Sequence, residues 1–230
     1  MYVYGKNVIR EAILNNRRIY EVLIDQKFND HNFLKLLNEH KIKYVQTNKG
    51  ELNNLTNNGI HQGIVAKIKP YEYTALNDVL AKEGRKRFLI LDEIADPHNL
   101  GAIIRTAEAT KLDGIIMSKK HQVPLNATVG KVSSGAIEHV KVVLVSNINQ
   151  AIKTLKENNI WVIGTDGSAD KLYTEIANDL SVAIVLGNEG EGIRYLVKQN
   201  CDMLVKIPMY GKVNSLNVSV AAALMMYATL

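Results

Sequence analysis

Cysteine occurs once in the 230 residues, at Cys201, so no disulfide can form within the chain and no paired-thiol zinc or redox site is available. That scarcity suits a reducing compartment, and with no histidine beside it Cys201 reads as a small buried hydrophobe rather than a reactive thiol. Long apolar runs are also missing: none reaches the roughly 18 residues that a membrane span needs. The opening Met1-Tyr2-Val3-Tyr4-Gly5-Lys6 lacks the apolar stretch of a signal peptide, so a cytoplasmic protein is expected. His31, His40, His61, His98, His121 and His139 are scattered without metal-ligand spacing, and no metal is expected. The G-x-G-x-x-G dinucleotide fingerprint and the Gly-Lys-Ser/Thr ending of a P-loop are absent too.

What is present is unevenly spread. Residues 1–70 hold 11 Lys and Arg against 6 Asp and Glu, whereas residues 71–230 hold 17 against 17. The whole net charge of +5 therefore sits in the first third. A basic module beside a neutral one suggests that the first meets a polyanion; an idle lysine-rich surface is the plainer alternative.

The first third reads as a compact α/β unit. Asn7 is placed to cap a helix carrying Val8, Ile9, Ala12 and Ile13 at helical spacing. Strands are expected at 21–24, 42–45 and 63–68, with a helix around Phe33 to Leu37 and Thr47 capping a short one. Lys69-Pro70-Tyr71-Glu72-Tyr73 marks a boundary, with Thr74 capping a linker helix over 75–81. From Arg87 onward, near-continuous apolar strands (88–91, 114–117, 142–145, 161–164, 182–186, 204–207) alternate with helical stretches. That pattern predicts an α/β fold with a mostly parallel sheet covered by helices on both faces. The expected organisation is a basic α/β domain over 1–70, a linker and helix over 71–86, and a larger domain over 87–230.

In such sheets ligands bind in loops leaving the carboxyl ends of strands, and three such loops stand out. The first runs from Asp92 through Asn99, a candidate N-cap, into a helix on which Leu100, Ile103, Ile104 and Ala107 share one face. Arg105 lies opposite that stripe, either as a solvated arginine or reaching towards the mouth of the sheet. The second, Gly187-Asn188-Glu189-Gly190-Glu191-Gly192, allows close backbone approach to a ligand; its acids suit ribose hydroxyls or a positive centre rather than phosphate. An ordinary strand-to-helix turn is the alternative. The third, Pro208 to Ser219, contains the cap-type residues Ser215 and Asn217 and leads into an almost wholly apolar helix over 220–230, which must be buried, in part against another subunit.

Together these loops resemble the three signature motifs of the SpoU (TrmH-like) RNA ribose 2′-O-methyltransferase family, in order and spacing: Asn99-x-Gly101-x-x-x-Arg105, then Leu186-Gly187-Asn188-Glu189-Gly190, then Ile207-Pro208-Met209 followed by Ser215-Leu216-Asn217-Val218-Ser219-Val220-Ala221. Val3-Tyr4-Gly5, His61-Gln62-Gly63-Ile64-Val65-Ala66 and Asp96-Pro97-His98-Asn99-Leu100-Gly101-Ala102 look like the ribosomal-RNA branch. The resemblance implies a C-terminal trefoil knot, bound S-adenosylmethionine, an RNA substrate and a homodimer with sites at its interface. By the same resemblance Thr165, Leu186, Gly187, Ile207 and Leu216 are cofactor contacts. Asn99, Arg105, Glu189, Ser215 and Asn217 fall on catalytic or substrate-ordering positions.

The reaction so implied moves a methyl group to a ribose 2′-oxygen of a guanosine in 23S ribosomal RNA. A guanidinium is a poor base, so Arg105 is expected to stabilise the forming alkoxide electrostatically. Lys212 and Asn214 depart from the residues that relatives often carry. Three alternatives stay open: the same chemistry on transfer RNA, a non-catalytic RNA-binding protein, and a nucleotide-dependent dehydrogenase. Removal of residues 1–70 is expected to abolish tight RNA binding.

Overall fold

The computed structural model describes residues 1–188 and 190–230. Met1–Tyr71 and Leu125–His139 gather into one compact unit, and Glu72–Pro124 with Val140–Leu230 into another. In chain order, the first stretch forms β1 (Tyr2–Tyr4), α1 (Lys6–Leu14), β2 (Ile19–Asp25), α2 (His31–Glu39), β3 (Val45–Thr47), α3 (Lys49–Leu55) and β4 (Ile64–Ile68). Then come α4 (Leu76–Leu80), β5 (Arg87–Asp92), α5 (Pro97–Ala109) and β6 (Gly114–Ser118). The short helix α6 (Ala127–Val132) lies in the segment that returns to the first unit. The remainder forms β7 (Val142–Val145), α7 (Ile148–Glu157), β8 (Trp161–Thr165), β9 (Lys171–Leu172), β10 (Val182–Gly187), α8 (Tyr195–Gln199), β11 (Met203–Lys206) and α9 (Val218–Tyr227).

The first unit is built on a mixed sheet in the order β1-β4-β2-β3. β4 is antiparallel to both β1 and β2, and β2 is parallel to β3. α1 buries Val8, Ile9, Ala12 and Ile13, as its spacing predicts. Its cap is Gly5 at φ 94°, not Asn7. Glycine reaches that left-handed backbone without a Cβ clash, so the chain turns into the helix earlier and Asn7 falls in the first turn. The strand expected at 42–45 begins only at Val45, because Lys41 at φ 56° and the Ile42 N–H to Leu37 carbonyl bond use the preceding residues to close α2. Asn48 caps α3 in place of Thr47, its Oδ1 accepting from Glu51 N at 3.0 Å. Within this unit Arg17 Nε meets Glu138 at 2.7 Å, the Glu138 side chain being 2% exposed.

The second unit holds a sheet of seven strands, β7-β6-β5-β10-β8-β11-β9, every pair parallel. β5 and β6 are buried at every position and β10 at all but its last. Near-continuous burial of Val, Ile and Leu is what a central parallel strand requires, each such side chain contributing about 1.5–3 kcal/mol. β9, at the edge, is two exposed residues long, one of them a lysine, which limits unwanted pairing.

Two expected caps differ here. Asp96 caps α5, accepting from His98 N at 2.9 Å. Pro97, pre-set for the first helical position, starts the helix before Asn99, which lies buried in the first turn. Thr74 does not cap α4. Its N–H donates to the Val142 carbonyl at 2.8 Å and extends the sheet beside β7.

After β11 the chain must return across the sheet, because α9 packs against α5 and β10 rather than beside β11. Residues 207–217 make that crossing over the strand ends.

Candidate active site

A cavity of about 530 Å³ opens at the carboxyl ends of β8 and β10. Three segments make most of its wall: Thr165, Asp166 and Gly167 at the end of β8; Leu186 to Asn188 and Gly190 to Ile193 at the end of β10; and Asn214, Ser215 and Leu216 from the returning loop, with Tyr195 and Lys198 of α8 and Val218 and Ala221 of α9 completing it. A smaller hollow of about 180 Å³ shares Thr165, Ser215 and Leu216 and adds Val205, Ile207 and Met209. The five residues expected to hold a cofactor, Thr165, Leu186, Gly187, Ile207 and Leu216, therefore border one continuous region together with Ser215.

The glycine-rich loop is tightly folded. Asn188 Oδ1 accepts from Gly190 N at 3.0 Å and from Glu191 N at 2.8 Å, and Gly192 N donates to the Asn188 carbonyl at 3.1 Å. This folding lays Gly192 against Gly187: a Cβ on Gly187 would lie 1.9 Å from the Gly192 carbonyl carbon. Glycine at 187 is thus required by close backbone approach. Glu189 lies outside the described residues.

Asn99 and Asn217 meet directly, Asn217 Nδ2 donating to Asn99 Oδ1 at 3.0 Å. Asn217 also caps α9, its Oδ1 accepting from Ser219 N at 2.9 Å. The bond ties the first turn of α5 to the loop that forms the cavity wall. Neither asparagine lines the cavity, nor does Arg105. Arg105 stands exposed on α5 and has no hydrogen-bond or ion-pair partner among the described residues. Its helical spacing places it on one face with Ala102 and Ala109.

Sequence reasoning missed two anchoring pairs. Asp92, buried at the end of β5, accepts from the Arg194 guanidinium at 2.6–3.2 Å and from Arg194 N at 3.1 Å. Arg194 Nη1 also reaches Glu93 at 3.0 Å. These contacts fasten the end of the glycine-rich loop to the neighbouring strand, and the Asp92 partnership raises the Arg194 pKa further. On the cavity wall, Asp166 pairs with Lys198. Hydrogen bonds from Lys198 and then Ser168 hold the Asp166 carboxyl down to about 2. A signal for Asp166 was available: Asp166-Gly167 directly follows a strand, where the strand-end rule directs attention. Asp92 offered none, since its partner lies 102 residues away.

The region fits a cationic nucleoside ligand. Carboxylates at Asp166 and Glu191 suit hydroxyls or a positive centre, and main chain exposed at the glycines permits close approach. Among the described residues no three His, Cys, Asp or Glu side chains gather as a metal centre would need.

A family model described as the SpoU rRNA Methylase family matches residues 86–227, and one described as RNA 2′-O ribose methyltransferase substrate binding matches residues 2–74. A protein of Staphylococcus aureus (strain MSSA476), provisionally named a TrmH family tRNA/rRNA methyltransferase, is 45% identical over 98% of this chain and 93% of its own length. YacO of Bacillus subtilis (strain 168), with the same provisional family name, is 41% identical over the same shares. The SpoU methyltransferase AviRb of Streptomyces viridochromogenes, solved in complex with AdoMet, superposes with a TM-score of 0.84 at 21% identity, over 100% of this chain and 88% of that one. An AdoMet-bound rRNA methyltransferase of Sinorhizobium meliloti gives 0.84 at 21% identity, over 99% and 85%. At that identity the two structures speak for the fold.

Proposed function

We propose, from the premise that the chain belongs to the SpoU family of RNA 2′-O-ribose methyltransferases, that it methylates the ribose 2′-hydroxyl of a guanosine in 23S ribosomal RNA, with S-adenosylmethionine held in the cavity at the ends of β8 and β10. The observation that carries this reading is the meeting of the strand-end loops around one cavity lined by Thr165, Gly187, Ser215 and Leu216. When bound, the cofactor supplies an electrophilic methyl group on a sulfonium. The chain's own residues do the rest. Main chain at Leu186, Gly187 and Leu216 grips the nucleoside, and Asp166 offers a carboxylate that stays ionised at neutral pH.

Arg105 acts as the electrostatic partner of the 2′-oxygen as its charge develops, since a guanidinium does not serve as a base near neutrality. Its absence from the cavity wall of its own chain supports a homodimer. The faces that would meet are Ala102, Arg105 and Ala109 on α5 and Val220, Leu224 and Tyr227 on α9, with Val220 48% and Tyr227 57% exposed. In that arrangement one subunit's Arg105 approaches the other's cavity. Ser215 and Asn217 order the returning loop, Asn99 holds Asn217, and Glu189 takes the substrate-ordering role that the family motif implies. The crossing of 207–217 over the strand ends supports the trefoil passage that the family implies.

The basic residues of the first unit supply salt-sensitive, largely sequence-blind contacts to phosphate. Ribose-methylation mapping of ribosomal and transfer RNA from cells with and without the gene tests the assignment. Loss of one guanosine mark in 23S RNA is expected, and loss confined to transfer RNA would redirect it. Arg105→Ala should abolish transfer while calorimetry still registers cofactor binding; near-normal turnover would remove Arg105 from the chemistry.

A further inference from the structure

The first unit contains a cavity of its own, about 500 Å³, bordered by Asp25 at the end of β2, Lys49 and Asn53 of α3, and Asn58, His61 and Gln62 of the turn entering β4. Its volume lies within the roughly 300–1,000 Å³ usual for small-ligand sites, and polar side chains dominate its wall. The proposed reaction uses none of these residues.

His61 organises the wall. It is 6% exposed, its Nδ1 lies 3.0 Å from Gly63 N and its Nε2 lies 3.0 Å from Asn53 Oδ1. A backbone N–H can only donate, so Nδ1 is the bare nitrogen and Nε2–H donates to Asn53. Burial lowers the His61 pKa, which keeps this neutral tautomer in place at physiological pH. With its oxygen accepting from His61, Asn53 keeps both N–H donors of its NH₂ to offer. That NH₂, the Asn58 amide and Lys49 Nζ have no hydrogen-bond partner among the described residues. Asp25 uses one carboxylate oxygen on Lys27 N at 2.8 Å and keeps accepting capacity on the other.

The turn itself is held in an uncommon conformation. Asn57, Asn58, Gln62 and Gly63 have φ of 50°, 61°, 57° and 80°, and non-glycine residues adopt such angles infrequently. Clusters of them concentrate at ligand sites. At the rim, Ile60 is 78% exposed, an apolar side chain presented to whatever enters.

We propose that this cavity is a subsite for one unpaired nucleobase of the RNA, with guanine as the fitting base. The proposal rests on the first unit being the one that grips RNA. Sequence-selective RNA recognition reads splayed-out bases on their hydrogen-bonding edges. Guanine alone among the four bases presents two adjacent donors, N1–H and N2–H, beside an acceptor, O6. A carboxylate at Asp25 accepts from the two donors, Lys49 and Asn53 donate to O6, and Ile60 packs on the face of the ring. The outcome is a module that combines charge with one base-specific reading.

Fluorescence anisotropy on the full chain tests this with three RNAs that differ only in one position: a hairpin with a single bulged guanine, the same with a bulged adenine, and the continuous duplex. The wild type should prefer the guanine bulge roughly tenfold. Asp25→Asn should erase that preference without changing affinity for the duplex. Lys49→Ala, at an exposed position, should weaken it likewise, and it serves if Asp25→Asn proves unfolded by circular dichroism. Equal affinity of the wild type for all three RNAs would overturn the subsite while leaving RNA binding in place, as would a preference that survives in both variants. No binding of any RNA at low salt would sink the parent reading as well.

Discussion

Replacing Gly187 by alanine tests the architecture of the cavity proposed for the cofactor at its tightest point. The added Cβ would lie 1.9 Å from the Gly192 carbonyl carbon, 2.0 Å from its oxygen and 2.2 Å from Ile193 N, where real Cβ atoms essentially never come within 3.0 Å. The obstruction is backbone, so no side chain can swing aside, and the 192–193 segment must retreat by roughly 1 Å or more. Overpacking of this kind costs about 1–3 kcal/mol. The retreat also pulls on Arg194, whose charge-assisted bonds to Asp92 are worth about 1.5–3 kcal/mol when lost. The Arg194 side chain is 45% exposed, so screening places that loss at the lower end.

The sum is about 2.5–4.5 kcal/mol, either as a lower urea midpoint or as distortion of the loop. If about 3 kcal/mol of it falls on the binding-competent loop, S-adenosylmethionine affinity drops about a hundredfold. Calorimetric titration and urea unfolding read the two shares. Gly190→Ala is the control within the same loop. Its Cβ would meet only Asn188 Oδ1 at 3.6 Å, so stability and affinity should stay within about 0.5 kcal/mol of wild type. Equal behaviour of the two variants would refute the close approach of Gly192 to Gly187.

Asn217→Ala removes both the α9 cap and the bond to Asn99; about 1 kcal/mol of stability should go with the cap, together with much of the turnover, and urea melts indistinguishable from wild type would contradict the assignment. The Asp166 carboxyl is held down by Lys198 and Ser168, so its contribution is complete above the ordinary value of 3.8 and is lost as pH falls through about 2. The stability difference between wild type and Asp166→Asn should therefore be the same at pH 5 and pH 8, and a difference that changes across that window would show the ion pair to be absent. Burial pushes the Cys201 thiol up to about 11, leaving about one thiolate per thousand at pH 8; iodoacetamide should label it hundreds of times more slowly than a free cysteine, and labelling at the free rate would show the sulfur to be solvated.

The sheet was legible because its strands are apolar on both faces. Runs such as Phe88 to Leu91 and Val182 to Leu186 have no polar residue to place in solvent, and β5 and β10 pair along their full length. Helix starts were less legible, because capping depends on backbone conformation that composition does not specify. Gly5 displaced Asn7, Asp96 with Pro97 displaced Asn99, and Asn48 displaced Thr47. The loops around the cavity could be recognised from their residues. The pairs that brace them could not, since Asp92–Arg194 and Asn99–Asn217 join residues 102 and 118 positions apart. Arg105 showed a third limit. Helical spacing puts it opposite the core but does not say whose cavity it faces.

The polypeptide passes between its two units three times, after Tyr71, Pro124 and His139. The module carrying the basic surface is consequently no detachable cassette. Excising it at residue 71 would leave the 125–139 stretch behind, and the Glu138 carboxylate would be parted from Arg17. Grafting this module onto another methyltransferase would require transplanting both segments. Ancestral shuffling by end-to-end joining would have faced the same obstacle.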